Sequence, residues 1–227
     1  TSAAQNVAIG LNALGASTTG CNNIAIGELV LGAADTTGNC NIAIGYAALD
    51  ALTTGTNNIA MGRNTLGTST EGCFNVAIGS TAMGGADTSG ASNVGIGLNT
   101  ADALTTGTSN VALGTDALGA STTGDYNIAI GRLALGGADT TGNCNIAIGP
   151  EAMDALTTGI CNVAIGTNAL GASTTGCLNI AIGELALGTA VTTGSNNVAI
   201  GKAAGEDIVA GCANVLVGCG AGKNISS

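Results

Sequence analysis

The chain of 227 residues carries a formal charge of −10, and its only basic side chains are Arg63, Arg132, Lys202 and Lys223. That balance excludes partners that present phosphates, nucleic acid or an anionic membrane surface. With 39 Gly, one Pro, no Trp, no His, two Tyr and one Phe, an aromatic-filled globular core is also excluded. The absence of His removes Ser–His and Cys–His catalysis.

The first element is Asn6-Val7-Ala8-Ile9-Gly10, and it recurs along the whole chain. Its leading residue forms a series: Asn6, Asn23, Asn41, Asn58, Asn75, Asn93, Asn110, Asn127, Asn145, Asn162, Asn179, Asn197 and Asn214. The gaps read 17, 18, 17, four times over. A short fixed period of this kind marks a solenoid, which is one quasi-linear domain whatever its length. Glycine is not at every third position, so collagen is excluded, and frequent periodic aliphatics exclude disorder. No apolar run approaches the roughly 18 residues that span a bilayer, so no membrane insertion is expected.

Each coil continues from its strand-like pentapeptide into a short apolar stretch such as Asn12-Ala13-Leu14-Gly15, then a polar corner such as Ser17-Thr18-Thr19-Gly20. The Gly of Thr-Thr-Gly reads as a corner that needs positive φ. Segments of about four to six residues between glycines are too short for stable helices. The expectation is therefore an all-β chain, a parallel β-solenoid or β-roll of about twelve coils of 17 or 18 residues. Coils stacked at about 4.8 Å would make a rod of about 58 Å. Three coils form a 52-residue module, at 6–57, 58–109, 110–161 and 162–213, followed by a cap segment at 214–227. The extra residue in every second coil of a module reads as a corner bulge. Thr1 already lies in register with the repeat, which reads as a fragment or a processed product.

Strand side chains alternate faces. The large residues Val7, Ile9, Ile24, Ile26, Ile42, Ile44, Ile128, Ile130, Ile146 and Ile148 are expected to fill the coil. The small residues between them, Ala8, Ala25, Ala43, Ala129 and Ala147, then form an outer face. That face either merely permits tight packing or meets neighbouring chains around a threefold axis, and the second reading removes a large apolar patch. The Asn series should form a ladder of amides bonded from coil to coil.

Of the eight cysteines, seven precede an Asn by one or two residues. Cys21, Cys40, Cys144, Cys161, Cys177, Cys212 and Cys219 are candidates for disulfides, because successive coils fall within the Cα window. Zinc is disfavoured without His. Asp35, Asp87 and Asp139, and Asp50, Asp102 and Asp154, recur once per module and read as solvated corners, too far apart for calcium. Gly218-Cys219-Gly220-Ala221-Gly222-Lys223 mimics a phosphate loop but is one residue short and ends in Asn224. No catalytic, metal or cofactor-binding residue is expected, and the chain does not read as an enzyme.

The motif Asn-Val-Ala-Ile-Gly resembles the head repeat of trimeric autotransporter adhesins, which fold as left-handed parallel β-rolls. The longer pattern Asn-x-Ala-Ile-Gly-x-x-Ala-Leu…Thr-Thr-Gly is more similar to the shaft repeats of phage tail fibres, as is the end of the chain through Ile225. The resemblance implies a left-handed, homotrimeric, extracellular, cell-surface or virion-borne fibre shaft. Such a shaft is a stiff structural spacer that projects a receptor-binding or adhesive tip, and any receptor would be met through a domain not in this chain. Two alternatives stand beside it. One is an adhesive filament that binds through its lateral face. The other is an ice-binding β-solenoid.

Overall fold

The computed structural model describes residues 4–223. Within them the chain is all-β, a parallel β-solenoid of about twelve turns built on thirteen three-residue strands. No α-helix occurs among the described residues. Asn224 and Ile225, at the end of the expected cap, lie outside the described residues. The chain divides into two compact units, Thr1–Ser109 and Asn110–Ser227. The division falls at the boundary between the second and third 52-residue modules.

The first unit holds β1 (Val7–Ile9), β2 (Ile24–Ile26), β3 (Ile42–Ile44), β4 (Ile59–Met61), β5 (Val76–Ile78) and β6 (Val94–Ile96). The second holds β7 (Val111–Leu113), β8 (Ile128–Ile130), β9 (Ile146–Ile148), β10 (Val163–Ile165), β11 (Ile180–Ile182), β12 (Val198–Ile200) and β13 (Val215–Val217). Within each unit, consecutive strands pair in parallel with like residues opposite each other. Ala25 faces Ala43 in the first unit, and Ala129 faces Ala147 in the second. The 17- and 18-residue coils keep the same strand register, so the extra residue is absorbed in the corner.

The core is not built from the expected residues. The middle alanines Ala25, Ala43, Ala129 and Ala147 are fully buried, while Val7 and Ile9 are exposed and Ile24, Ile26, Ile42, Ile44, Ile128, Ile130, Ile146 and Ile148 are half-buried. Ala8, on the first strand, is exposed. The alternation is thus inverted: small residues point in and β-branched residues point out. The reason lies in the turn that follows each strand. Leu31, Leu49, Leu66, Leu118, Leu135, Leu170 and Leu187 are fully buried there, as are Met83 and Met153. These side chains fill the interior, joined in the third coil of each module by Leu52, Leu104, Leu156 or Ile208, and the strand must offer a small residue against them. Gly95 shows the fit, since a methyl group there would lie 2.9 Å from Cε of Met83. The last strand shows the converse exchange. Leu216 takes the inward place, and Gly205 and Gly222 stand where Leu would follow, a Cβ at either approaching the Leu216 side chain within 2.9 Å.

The turn reaches inward by an uncommon backbone. Leu14, Leu31, Leu49, Leu135 and Leu187 have φ near 50°, as do Asn12, Asn64 and Asn168 two residues earlier in their turns. Left-handed backbone is rare for residues with a side chain and worst for β-branched ones. This explains why the turn carries Leu and Met while the strand carries Ile and Val. The glycine that closes the strand, such as Gly27 at φ 135°, takes the positive φ in place of the corner glycine. The Gly of Thr-Thr-Gly answers to crowding instead, since a Cβ at Gly20 would lie 2.7 Å from the Thr36 carbonyl oxygen.

Candidate interaction face and its supporting ladders

The buried Asn ladder fixes where each strand begins. Asn145 donates Nδ2–H to the Gly159 carbonyl at 2.9 Å, across its own coil. Its Oδ1 accepts the backbone N–H of Asn162 at 3.0 Å and the Asn162 amide at 3.1 Å. Its own N–H donates to Asn127 Oδ1 at 2.9 Å. The same set recurs at Asn23 and Asn41, and at Asn58 without the amide-to-amide bond to its Oδ1. The expected amide-to-amide bonds exist in several coils. The more regular link runs from side-chain oxygen to the next backbone N–H. A buried side chain that must both donate and accept in this way has to be Asn.

With Asn and Ala inward, Val or Ile at either end of each strand is turned outward. Ile96, Ile165 and Ile200 are 39 %, 38 % and 39 % exposed. No charged residue falls on this face in any strand. Met61 replaces Ile once and Leu113 once, both still aliphatic. The residue two before each strand also stands outward in several coils, and there Phe74, Tyr126 and Leu178 are 58 %, 62 % and 53 % exposed.

All eight cysteines are free thiols, so the candidate disulfides among Cys21, Cys40, Cys144, Cys161, Cys177, Cys212 and Cys219 are not formed. Two of these candidates, and Cys73 with them, hold their sulfur in hydrogen bonds. Cys73, Cys177 and Cys212 are engaged elsewhere: each Sγ accepts the backbone N–H of the residue one coil earlier, Thr56, Ile160 and Ser195, at 3.3–3.4 Å. Cys21, Cys73, Cys177 and Cys212 also direct Sγ to the carbonyl two residues back. Asn39, Asn143 and Ser195 do the same work with oxygen, accepting the N–H of Cys21, Asp125 and Cys177. Cys144 and Cys161 are equivalent in consecutive coils and exposed, yet remain thiols.

The aspartates are ladder elements too. Asp35 accepts both the N–H and the Oγ–H of Thr18 at 2.8 and 2.7 Å, and Asp87 and Asp139 repeat this with Thr70 and Thr122. Asp50 accepts the Ala33 N–H, in the corner with the extra residue, at 2.9 Å. An aspartate from the coil that follows thus reaches the longer corner at Ala33 and again at Gly137, and an aspartate within the corner reaches back. This is the physical content of the three-coil module. The fourth module departs from it, with Val191 in place of the first Asp and Glu206 in place of the second.

Burial raises the pKa of Asp154, the nearby Glu151 carboxylate adds to the rise, and the Gly137 N–H and Arg132 oppose it. Arg132 pairs with Glu151, Lys202 with Glu184 at 3.0 Å, and Lys223 with Glu206 at 2.8 Å. Lys223, the lysine of the loop that mimics a phosphate site, is therefore engaged by a carboxylate, which raises its pKa.

In comparisons with known proteins, no family model, no curated protein and no solved structure matches this chain.

Proposed function

We propose that the chain is a shaft segment of an extracellular or virion-borne fibre, a structural spacer that associates with further copies of itself. The observation that carries this is the outward aliphatic face. In the second unit alone, seven strands at about 4.8 Å and a width of about 10 Å make about 330 Å² of Val and Ile surface. That is the size of the largest contiguous apolar patch on a typical monomer, about 300–600 Å², and patches of this size are often interaction sites. The face is uncharged and repeats at the strand spacing, so a second copy of the same face matches it in chemistry and period, as a symmetric homo-oligomer requires. The interface of a trimer would then be formed by Val and Ile, not by the buried alanines. With few aromatic or Arg anchors on the repeat itself, sharp recognition belongs to a tip outside this chain.

Sedimentation at micromolar concentration tests the assembly. A multimer that dissociates in the double variant Ile146→Lys/Ile148→Lys is expected, and a stable monomer for the unmodified chain would sink the reading. Deleting module 58–109 removes three whole coils and keeps register. A rod shorter by about 14 Å with surface attachment intact marks a spacer. Attachment lost while assembly persists marks a filament that binds through its side.

A further inference from the structure

The repeat provides its own reference for every position, because each residue has equivalents 52 positions away. Measured this way, the segment 64–84 departs from the rest at several positions, two of which line one cavity. Thr81 stands where the other modules have Leu29, Leu133 and Leu185, and Thr68 stands where they have Ala16, Ala120 and Ala172. Ser80 likewise replaces Glu28, Arg132 and Glu184. Among the described residues, Thr81 is also the only β-branched one outside glycine with positive φ, at 56°. That conformation disfavours a branched Cβ, and the equivalent leucines hold φ of 58° without branching.

Both substitutions open onto one cavity of about 200 Å³ in the first unit, lined by Ala47, Asp50, Asn64, Thr68 and Thr81 with two glycines. The corresponding positions in the second unit carry Glu151, Asp154, Asn168, Ala172 and Leu185. There a leucine, an alanine and a glutamate stand in place of Thr81, Thr68 and Ala47, and both hydroxyls are missing. The cavity brings together a carboxylate, an amide and two hydroxyls. Asp50 uses Oδ1 for the Ala33 N–H at 2.9 Å, which leaves further acceptor capacity on the carboxylate. Thr68 Oγ lies 2.7 and 3.1 Å from the Ala86 and Gly84 carbonyls, and with its proton given to one of them it has only acceptor capacity left. Backbone bonds Asn64 N–H to Tyr46 O and Thr81 N–H to Arg63 O, at 2.8 and 2.9 Å, hold the residues before the lining ones in a row. That row is Tyr46, Arg63 and Ser80. Tyr46 is 45 % exposed, and Arg63 takes part in none of the three ion pairs of the described residues.

We propose that this cavity binds a hexose ring. One carboxylate among neutral groups is too few for calcium, which takes six to eight oxygens, and it repels a phosphate. Acceptors on Asp50 and Thr68 with an amide on Asn64 that can donate and accept suit vicinal hydroxyls. The volume admits a single ring and lies below the range of about 300–1,000 Å³ typical of larger ligands. Affinity for one ring is accordingly in the millimolar range. The site is independent of the shaft reading.

Saturation-transfer NMR with methyl α-D-glucopyranoside, methyl α-D-mannopyranoside and methyl β-D-galactopyranoside tests it. Saturable transfer from at least one glycoside is expected, weakened about tenfold or more in Thr81→Leu and in Thr68→Ala. Both variants restore the residue the chain itself uses at equivalent positions, so both fold. No saturable transfer from any of the three, or unchanged affinity in Thr81→Leu, overturns the proposal. Comparing the bound glycoside with the free hexose and with a polysaccharide of the same unit separates a soluble sugar from the end or interior of a surface glycan. Sedimentation of Thr81→Leu should match the unmodified chain. A monomer that still binds a glycoside would remove the shaft reading and leave this one standing.

Discussion

In coil 127–144 the strand turns Ile128 and Ile130 outward and Ala129 inward, whereas the turn that follows sends Leu135 into the interior at φ 49°. Two aliphatic segments a few residues apart thus use their large side chains in opposite directions. The contrast shows that in a narrow coil the interior volume decides, and size alone does not say which residue goes inside. A strand that met the leucine with isoleucine would overfill the coil. Turning the strand face outward leaves its β-branched residues for contact with other surfaces.

The sharpest way to break this arrangement is at the hinge between strand and turn, the Asn that donates and accepts at once. Asn145→Asp replaces the donor facing the Gly159 carbonyl with a buried anion, and should cost about 3–5 kcal/mol. Chemical denaturation of the variant at neutral pH measures it, and a loss below about 1 kcal/mol would mean that Asn145 does not need its donor. A second pair of substitutions tests the inversion itself. Leu135→Ala should cost about 2–5 kcal/mol, as for other fully buried leucines. Ile130→Ala, measured under conditions where the chain is monomeric, should cost less than about 1.5 kcal/mol because its side chain is already half in water. Equal losses would contradict the inward and outward assignment. The smallest effect is expected at Asp154. Its raised pKa means that the folded chain holds a proton over a window above the ordinary value of 3.8, where the unfolded chain has lost it. The folded state binds more protons there, so stability falls as pH rises through that window and the deficit persists at neutral pH. Asp154→Asn should flatten this segment of the pH profile in thermal melts, with the Gly137 N–H still bonded to an oxygen. A variant that melts more steeply with pH would show the carboxylate to be favoured by its surroundings.

The period, the strand positions and the Asn ladder could be read from the repeat, because a spacing of 17 or 18 with Asn-x-Ala-x-Gly leaves little else for the backbone to do. The direction of the strand side chains could not. Val-Ala-Ile alternates equally well either way, and the choice is made by Leu31, Leu135 and their equivalents. Those leucines sit in a stretch that reads as a loop and in a conformation that propensity disfavours. The cysteines at 21, 73, 177 and 212 misled for a related reason. Their positions are shared with Asn39, Thr56, Thr108, Asp125, Asn143 and Ser195, and all of the column except Ala4, Ala91 and Ile160 is a short side chain with an acceptor atom. Read as a column, that set points to a hydrogen-bond slot and not to cross-linking. The aspartates looked like solvated corners because each is separated by a full coil from the N–H it accepts. The cavity at Thr68 and Thr81 was legible only as a departure from the chain's own average, which a search for shared motifs passes over.

The left-handed residues of the turns have a consequence for how such a chain is made. A coil holds about three of them, and each costs about 1–2 kcal/mol against the ordinary right-handed backbone. Within one coil little offsets that cost. Leu135 has no alanine of the next coil to lie against, and Asn145 has no carbonyl or amide above and below. A lone coil is therefore a high-energy object, and its geometry becomes favourable only when neighbours on both sides hold it. Folding of this kind starts with a nucleus several coils thick and then adds coils one at a time, each new one templated by the last. Unfolding runs the same path backwards from whichever coil has a neighbour on one side alone. The chirality that makes each coil improbable by itself is what makes the stack cooperative.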